Sequence, residues 1–275
     1  MVGLRRAAVV GLPIAHSLSP VLHQAAYQAL GLGNWHYTAH ECGEGQLKSF
    51  LGGLDSSWVG LSLTMPLKRV ALSVADHVSP TAEIVGAANT LLLRTDGCSA
   101  DNTDAPGMAD ALRENGLEST RSAVVVGAGG TAQAALVALS MLGPTPPFVA
   151  IAVREPARAT AVAQTAQRLG LPLAIHRWSE LPQLLDAAEL VISTVPQPAS
   201  EAVAALPWRN ELAFFDALYH PWPTPAAAAA IAAGCTVISG RELLLHQAAH
   251  QVRLMTGQTA PLAAMREALA ACFLT

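Results

Sequence analysis

An apolar run, Ala123 to Val126, passes without a spacer into Gly127-Ala128-Gly129-Gly130-Thr131-Ala132 and then into the small-residue stretch QAALVALSMLG. Strand, glycine turn and helix in that order form the context in which a glycine fingerprint points to a dinucleotide. Gly127 permits the tight turn, Gly129 lets the backbone approach a pyrophosphate, and Ala132 lets helix and strand pack closely. Ala128, Gly130 and Thr131 complete a turn whose free N–H groups and helix dipole favour phosphate oxygens. The bland alternative is a tight turn that binds nothing.

The next strand, PFVAIAVR, carries the cofactor's second signal. A site that prefers NAD ends this strand in an acidic residue for the ribose diol; here Val153 stands at that place, followed by Arg154 and Arg158. Two arginines on one turn suit the 2′-phosphate of NADP. Glu155 between them either opposes a phosphate or caps the following helix, and a solvated surface turn would explain all three charges without a ligand.

The segments LAIHRW, ELVIST, LAFFDAL and CTVISG continue the same sheet, which predicts a Rossmann-like α/β domain over residues 105–240. Before it, RAAVVG, a helical VLHQAAYQALG, WVGLSLT and AANTLLLRTDG alternate strand with helix. That alternation implies a second, parallel α/β layer, an N-terminal substrate domain over residues 1–104, with CSADNTDAPGMADALRENG running from loop into helix. The closing helical segments, residues 241–275, return to this first domain, and the crossings near Asp104 to Gly107 and near Gly240 form a hinge. A chain of 275 residues is long enough for two such cores.

Charge and cysteine usage exclude other classes. The net charge of −4 is scattered, so no basic face exists for nucleic acid or an anionic membrane. No apolar segment reaches the roughly 18 residues of a membrane span. Cys42, Cys98, Cys235 and Cys272 form no CxxC pair, which fits reduced thiols in a cytoplasmic protein. His246 and His250 have metal-compatible spacing but no evident third ligand, so no metal is expected. Trp178, Trp208 and Trp222 read as packing residues.

The chain is poor in polar residues, and those of its first half gather on turns. Ser17 and Ser19 follow the first strand, with Ser19 also placed to cap a helix before Pro20. Thr64-Met65-Pro66-Leu67-Lys68 delivers a lysine beyond the C-terminal end of another strand, where open α/β sheets bind ligands. Asn89-Thr90 and Asn102-Thr103-Asp104 add amide, hydroxyl and carboxylate groups. A lysine and an aspartate together suit reduction of a ketone, the ammonium giving a proton to the developing alkoxide and the carboxylate holding the ammonium.

The segments GLPIAHSLSPVLH (11–23), LTMPLK (63–68), GAANTL (86–91), DNTDAPG (101–107), VVGAGGTAQA (125–134), FFDALYHPWPTP (214–225) and GRELLLHQAAH (240–250) together resemble the shikimate dehydrogenase family over nearly the whole chain. The resemblance implies reversible, NADPH-dependent reduction of 3-dehydroshikimate to shikimate. It makes Lys68 and Asp104 the catalytic pair and gives the substrate to Ser17, Ser19, Ser62, Thr64, Asn89, Tyr219 and Gln247. Gly240 matches a glycine whose carbonyl meets the nicotinamide amide. Three positions depart from the family's pattern: Ser62 where Asn is common, Val153-Arg154-Glu155 where Asn-Arg-Thr is usual, and Ala105 where Gly follows the aspartate. Rival readings are an NAD-preferring quinate or shikimate dehydrogenase and a non-catalytic regulator that binds dinucleotide or shikimate. A homodimer is compatible with either.

Overall fold

The protein, seen here as a computed structural model, is described over residues 3–273. It divides into two compact units, one holding residues up to Gly107 together with those from Leu244 onward, the other Met108–Leu243.

The first unit is built on six strands: β1 (Arg5–Gly11), β2 (Trp35–Glu41), β3 (Trp58–Leu63), β4 (His77–Val78), β5 (Thr90–Arg94) and β6 (Gly97–Asp101), in the order β2-β1-β3-β5-β6-β4. β1 runs parallel to β2 and β3, but β5 is antiparallel to both β3 and β6. The sheet is therefore mixed, where strand–helix alternation alone predicts a parallel one. The reversed strand is β5, and its partner β6 reads as loop because Cys98-Ser99-Ala100 has neither β-branched residues nor alternation. Thr95-Asp96 closes a two-residue hairpin, Arg94 pairing with Gly97 at φ +128°, and this turn reverses the chain.

A short helix, Pro80–Val85, precedes this hairpin; Ser79 caps it by accepting from the Ala82 N–H at 3.1 Å, and Gly86 ends it in the left-handed region at φ 69°. That stop sends Ala87-Ala88-Asn89 back toward the sheet. Ala8, Val10, Leu61, Leu63, Leu67 and Leu91 fill one core layer of the unit. On another, Leu22 and Ala26 of the helix Ser19–Ala29 pack with Leu245, Ala248 and Val252 of the helix Gly240–Thr256.

The second unit holds six parallel strands, β7 (Ser122–Val126), β8 (Phe148–Val153), β9 (Leu173–Arg177), β10 (Leu190–Ser193), β11 (Ala213–Asp216) and β12 (Thr236–Ser239), in the order β12-β11-β10-β7-β8-β9. Strands of one segment bury alternate residues on opposite faces: Ala123 and Val125 belong to one core layer, Val124 and Val126 to the other. A sheet covered on both sides needs apolar residues at every position, which is why these strands read as unbroken apolar runs. Strand order reverses between β7 and β10, and α/β sheets open a ligand crevice at such a switch point.

The two stretches of chain that pass from one unit to the other are helical, Asp104–Glu114 and Gly240–Thr256. No helix among the described residues is long and apolar enough to cross a membrane.

Candidate active site

In the first unit the turns after β1 and β3 meet. A Cβ on Gly11 would lie 2.3 Å from the Thr64 methyl, so only glycine allows the two turns this approach. The Leu12 N–H donates to the Met65 carbonyl at 2.9 Å, and the Leu67 N–H to the Thr64 carbonyl at 2.8 Å, a turn that carries Lys68 past the strand's end. Lys68 Nζ donates to Asp104 Oδ2 at 2.5 Å.

Asp104 is held from two sides. Asn102 Oδ1 accepts from the N–H groups of Asp104 (3.0 Å) and Ala105 (3.2 Å), while its Nδ2 donates to the Ala87 carbonyl at 2.9 Å. Asn102 therefore starts the helix Asp104–Glu114 and sets Asp104 in its first turn. Asn89 Nδ2 donates to Asp104 Oδ1 at 2.9 Å and lies 3.4 Å from Gln247 Oε1. Lys68, Asp104, Asn89 and Gln247 thus converge in one unit although they come from four separate segments.

The serines behave differently from one another. Ser17 Oγ accepts from the Ser19 N–H at 3.3 Å, and the helix begins at Ser19 itself with Leu18 at the cap and no side-chain cap bond. Ser19 does not act as the helix cap. Ser62 is buried, accepting from Tyr37 Oη at 2.5 Å and donating to Gln251 Oε1 at 2.6 Å. Its hydroxyl is engaged inside the protein rather than left free for a ligand. Neither Tyr37 nor Gln251 stands out in the sequence, because their partners are remote along the chain.

The second unit forms a pocket of about 460 Å³ at the switch point, lined by Gly127, Ala128, Gly129, Val153, Arg154, Glu155, Arg158, Trp178, Thr194, Val195 and Pro196. Gly127 has φ +113°, and a Cβ there would lie 2.4 Å from Thr194 Oγ1. Gly129 and Gly130 face open space, so backbone N–H groups at the start of the helix Gly130–Ser140 are accessible to a phosphate. Ala132 is fully buried in the core layer, and Thr131 sits in the helix's first turn. Residues 194–196 after β10 supply the opposite wall; they carry no motif and only strand order brings them here. Trp178 packs on the core and also lines the pocket, more than the packing role its sequence suggests.

Arg154 and Arg158 both reach the rim, but Arg158 Nε donates to Glu155 Oε2 at 3.1 Å, both groups being exposed. Glu155 makes no capping bond to the helix that follows, so it works on Arg158 instead. The loop after β11 carries Tyr219, whose phenol burial pushes up. Buried Asp216 ties that loop down, accepting from the Leu218 N–H at 3.1 Å and from Thr224 Oγ1 at 2.6 Å; burial raises its pKa. Gly240 also packs against this loop, since a Cβ there would lie 2.3 Å from the Ala217 carbonyl oxygen.

Comparison with known proteins gives a consistent result. Residues 9–91 match the shikimate dehydrogenase substrate binding domain, and residues 240–270 the shikimate 5′-dehydrogenase C-terminal domain. A shikimate dehydrogenase (NADP(+)) of Natronomonas pharaonis is 36% identical over 266 residues, covering 95% of this chain and 97% of its own. Among solved structures, the Mycobacterium tuberculosis shikimate dehydrogenase superposes with a TM-score of 0.87 at 43% identity, over 98% of this chain and 99% of that one. A Thermus thermophilus shikimate 5-dehydrogenase in complex with NADP(H) and shikimate gives a TM-score of 0.83 at 33% identity, over 98% and 100% of the two chains.

Proposed function

The chain belongs to the shikimate dehydrogenase family, and from that premise we propose how its residues divide the work of one hydride transfer. The protein is an NADP-dependent oxidoreductase acting on a CH–OH group, interconverting 3-dehydroshikimate and shikimate. The observation that carries the division of roles is the Lys68–Asp104 contact, assembled with Asn89 and Gln247 in the unit that matches the substrate-binding model.

The Lys68 ammonium gives its proton to the carbonyl oxygen as negative charge develops there, and recovers it in the oxidation direction. Asp104 keeps that ammonium aimed. Asn89, Gln247, Thr64, Ser17 and Ser19 bind the hydroxyls and carboxylate, which makes orientation rather than proton transfer their task, and the family resemblance adds Tyr219 to the substrate residues. Ser62 acts from behind them. When bound, the dinucleotide supplies the hydride. The residues present fit it: Gly129 and Gly130 leave the turn open to a pyrophosphate, the helix start offers N–H groups, Arg154 and Arg158 would hold the 2′-phosphate, and the Gly240 carbonyl would take the nicotinamide amide.

The NAD-preferring and non-catalytic readings are not favoured, since the relatives are NADP enzymes and the proton-handling pair is assembled. The decisive assay is NADPH oxidation with 3-dehydroshikimate, followed by the loss of NADPH absorbance. Turnover with NADPH far exceeding that with NADH is expected; a clear NADH preference would overturn the cofactor assignment. A cytoplasmic location is also part of the proposal, and the four free cysteines fit a reducing compartment. A homodimer is a further part of the proposal, and a single-chain mass in sedimentation equilibrium would dismiss it.

A further inference from the structure

Behind Asp104 lies a run of polar side chains of which only Asn89 has a visible part in the reaction. His23, Tyr37, Ser62, Asn89, Thr90 and Gln251 are each at most 4% exposed, in a unit whose apolar core is mostly Ala, Val and Leu. Buried polar groups cost free energy unless every one finds a partner, so such a cluster persists only where its bonds are complete or useful.

The directions of these bonds follow from donor counting. Gln251 Nε2 lies 3.0 Å from the Asn89 carbonyl and 3.0 Å from Thr90 Oγ1. A backbone carbonyl only accepts, so this end of the amide must be the donor. Gln251 Oε1 is then the acceptor that faces Ser62 Oγ at 2.6 Å and His23 Nε2 at 3.3 Å. Ser62 has to give its proton to Gln251, which leaves the Ser62 oxygen to accept from Tyr37 Oη. On the other side Thr90, having accepted from Gln251, donates to Asn89 Oδ1 at 2.8 Å. Asn89 Nδ2 then donates to Asp104 Oδ1.

Every link therefore points the same way, from Tyr37 through Ser62, Gln251, Thr90 and Asn89 to the Asp104 carboxylate. Bonds aligned in series polarise one another in a low-dielectric interior. His23 supports the joint without adding charge: its ring stacks on Tyr37 with centroids 4.0 Å apart, and burial lowers its pKa to about 3, which keeps it neutral with Nε2 as donor.

Gln251 is the joint of this chain. It lies one helical turn beyond Gln247 on the same helix, its carboxamide bridging Ser62 on β3 to Thr90 on β5 and to the Asn89 backbone. We propose that Gln251 is a positioning residue for the dehydrogenase reaction: together with the Thr103 N–H, which donates to Asn89 Oδ1 at 2.8 Å, it fixes Asn89, which commits one Asp104 oxygen and leaves the other for Lys68. The proposal rests on the reading of Lys68 and Asp104 as the catalytic pair. Removing the joint should cost turnover rather than binding, because Asn89 would still be present but less well aimed at the carboxylate.

The test is Gln251→Met, close in volume but unable to donate or accept, assayed for shikimate oxidation beside calorimetric titration with shikimate. The expected result is a kcat lower by roughly tenfold, the scale of one misaligned hydrogen bond, with KM for NADP within about twofold of wild type and one shikimate site per chain retained. A purely structural role would instead lower the melting temperature and the fraction of binding-competent chains, leaving turnover per competent chain at the wild-type value; that outcome overturns the proposal. Tyr37→Phe removes only the first donor and should reduce kcat by a few-fold, adding nothing when combined with Gln251→Met. Losses that multiply in the double variant would show that no such chain operates. Should Gln251→Met not fold, Thr90→Val cuts the next link, and wild-type turnover in that variant refutes the idea equally. Failure of the underlying reading is separately visible, as sustained turnover in Lys68→Ala.

Discussion

Lys68 Nζ and Asp104 Oδ2 are 2.5 Å apart, the lysine side chain one-third exposed at 33% and the aspartate at 13%. A pair this close to solvent adds little net stability, because the ammonium gives up part of its hydration to make the contact. Its use is chemical. Lys68→Ala should lower kcat by roughly 10²–10⁴-fold, the range for loss of a general acid, with little change in KM for shikimate. Steady-state kinetics decides this, and a change confined to KM would make Lys68 a binding residue. Asp104→Ala should also suppress turnover, since it frees the ammonium from its aim.

Glu155 shares Arg158 with whatever phosphate the pocket receives. Glu155→Gln keeps the size of the side chain and removes the competing charge, so KM for NADP should fall by roughly threefold to tenfold while KM for NAD stays close to wild type. The gain should shrink as salt rises. Equal changes for both dinucleotides would mean that Glu155 acts on the fold of the turn rather than on the 2′-phosphate.

Two glycines separate packing from ligand space. A Cβ on Gly107 would lie 2.6 Å from the Gln247 backbone nitrogen, while a Cβ on Gly129 would meet nothing within 4 Å. Gly107→Ala must push the two helices apart and should destabilise the protein by about 1–3 kcal/mol in urea denaturation, raising KM for shikimate as Gln247 shifts. Gly129→Ala should fold within about 0.5 kcal/mol of wild type yet raise KM for NADP, because the added methyl occupies space left for the pyrophosphate. An unchanged KM for NADP would place the dinucleotide elsewhere.

His23 makes stability fall on the acid side. Its pKa is about 3 in the folded protein against 6.5 in the unfolded chain. Between those values the unfolded state binds a proton that the folded state does not, so stability is intact above pH 6.5 and is lost as pH drops toward 3, by up to about 1.4 kcal/mol per unit. His23→Phe keeps a ring against Tyr37 and removes the titration. It should start about 1 kcal/mol less stable at neutral pH, from the lost bond to Gln251, and lose less than wild type between pH 7 and 4.5. Denaturant curves at the two pH values test this; equal acid losses would relieve His23 of the role.

Much of this protein can be read along the chain because backbone rules are local. Apolar runs at 123–126, 148–153, 190–193 and 213–216 mark strands buried on both faces, and the glycines after Val126 mark a phosphate turn, whatever the rest of the molecule does. Lys68 and Asp104 are likewise visible as polar residues on turns. What the tertiary structure decides is partnership. Strand order sets Thr194 opposite Gly127, and the hairpin at Thr95-Asp96 turns an unpromising Cys98-Ser99-Ala100 into a strand that delivers Asp104. Ser62 meets Gln251 across 189 positions of sequence, and Asn89 meets Gln247 across 158. Such pairs leave no periodicity and no motif, because a side-chain hydrogen bond depends on which elements pack together and not on spacing along the chain. The residue types that do the chemistry are written locally; the bonds that aim them exist only once the sheet and the returning helix have closed around Asn89.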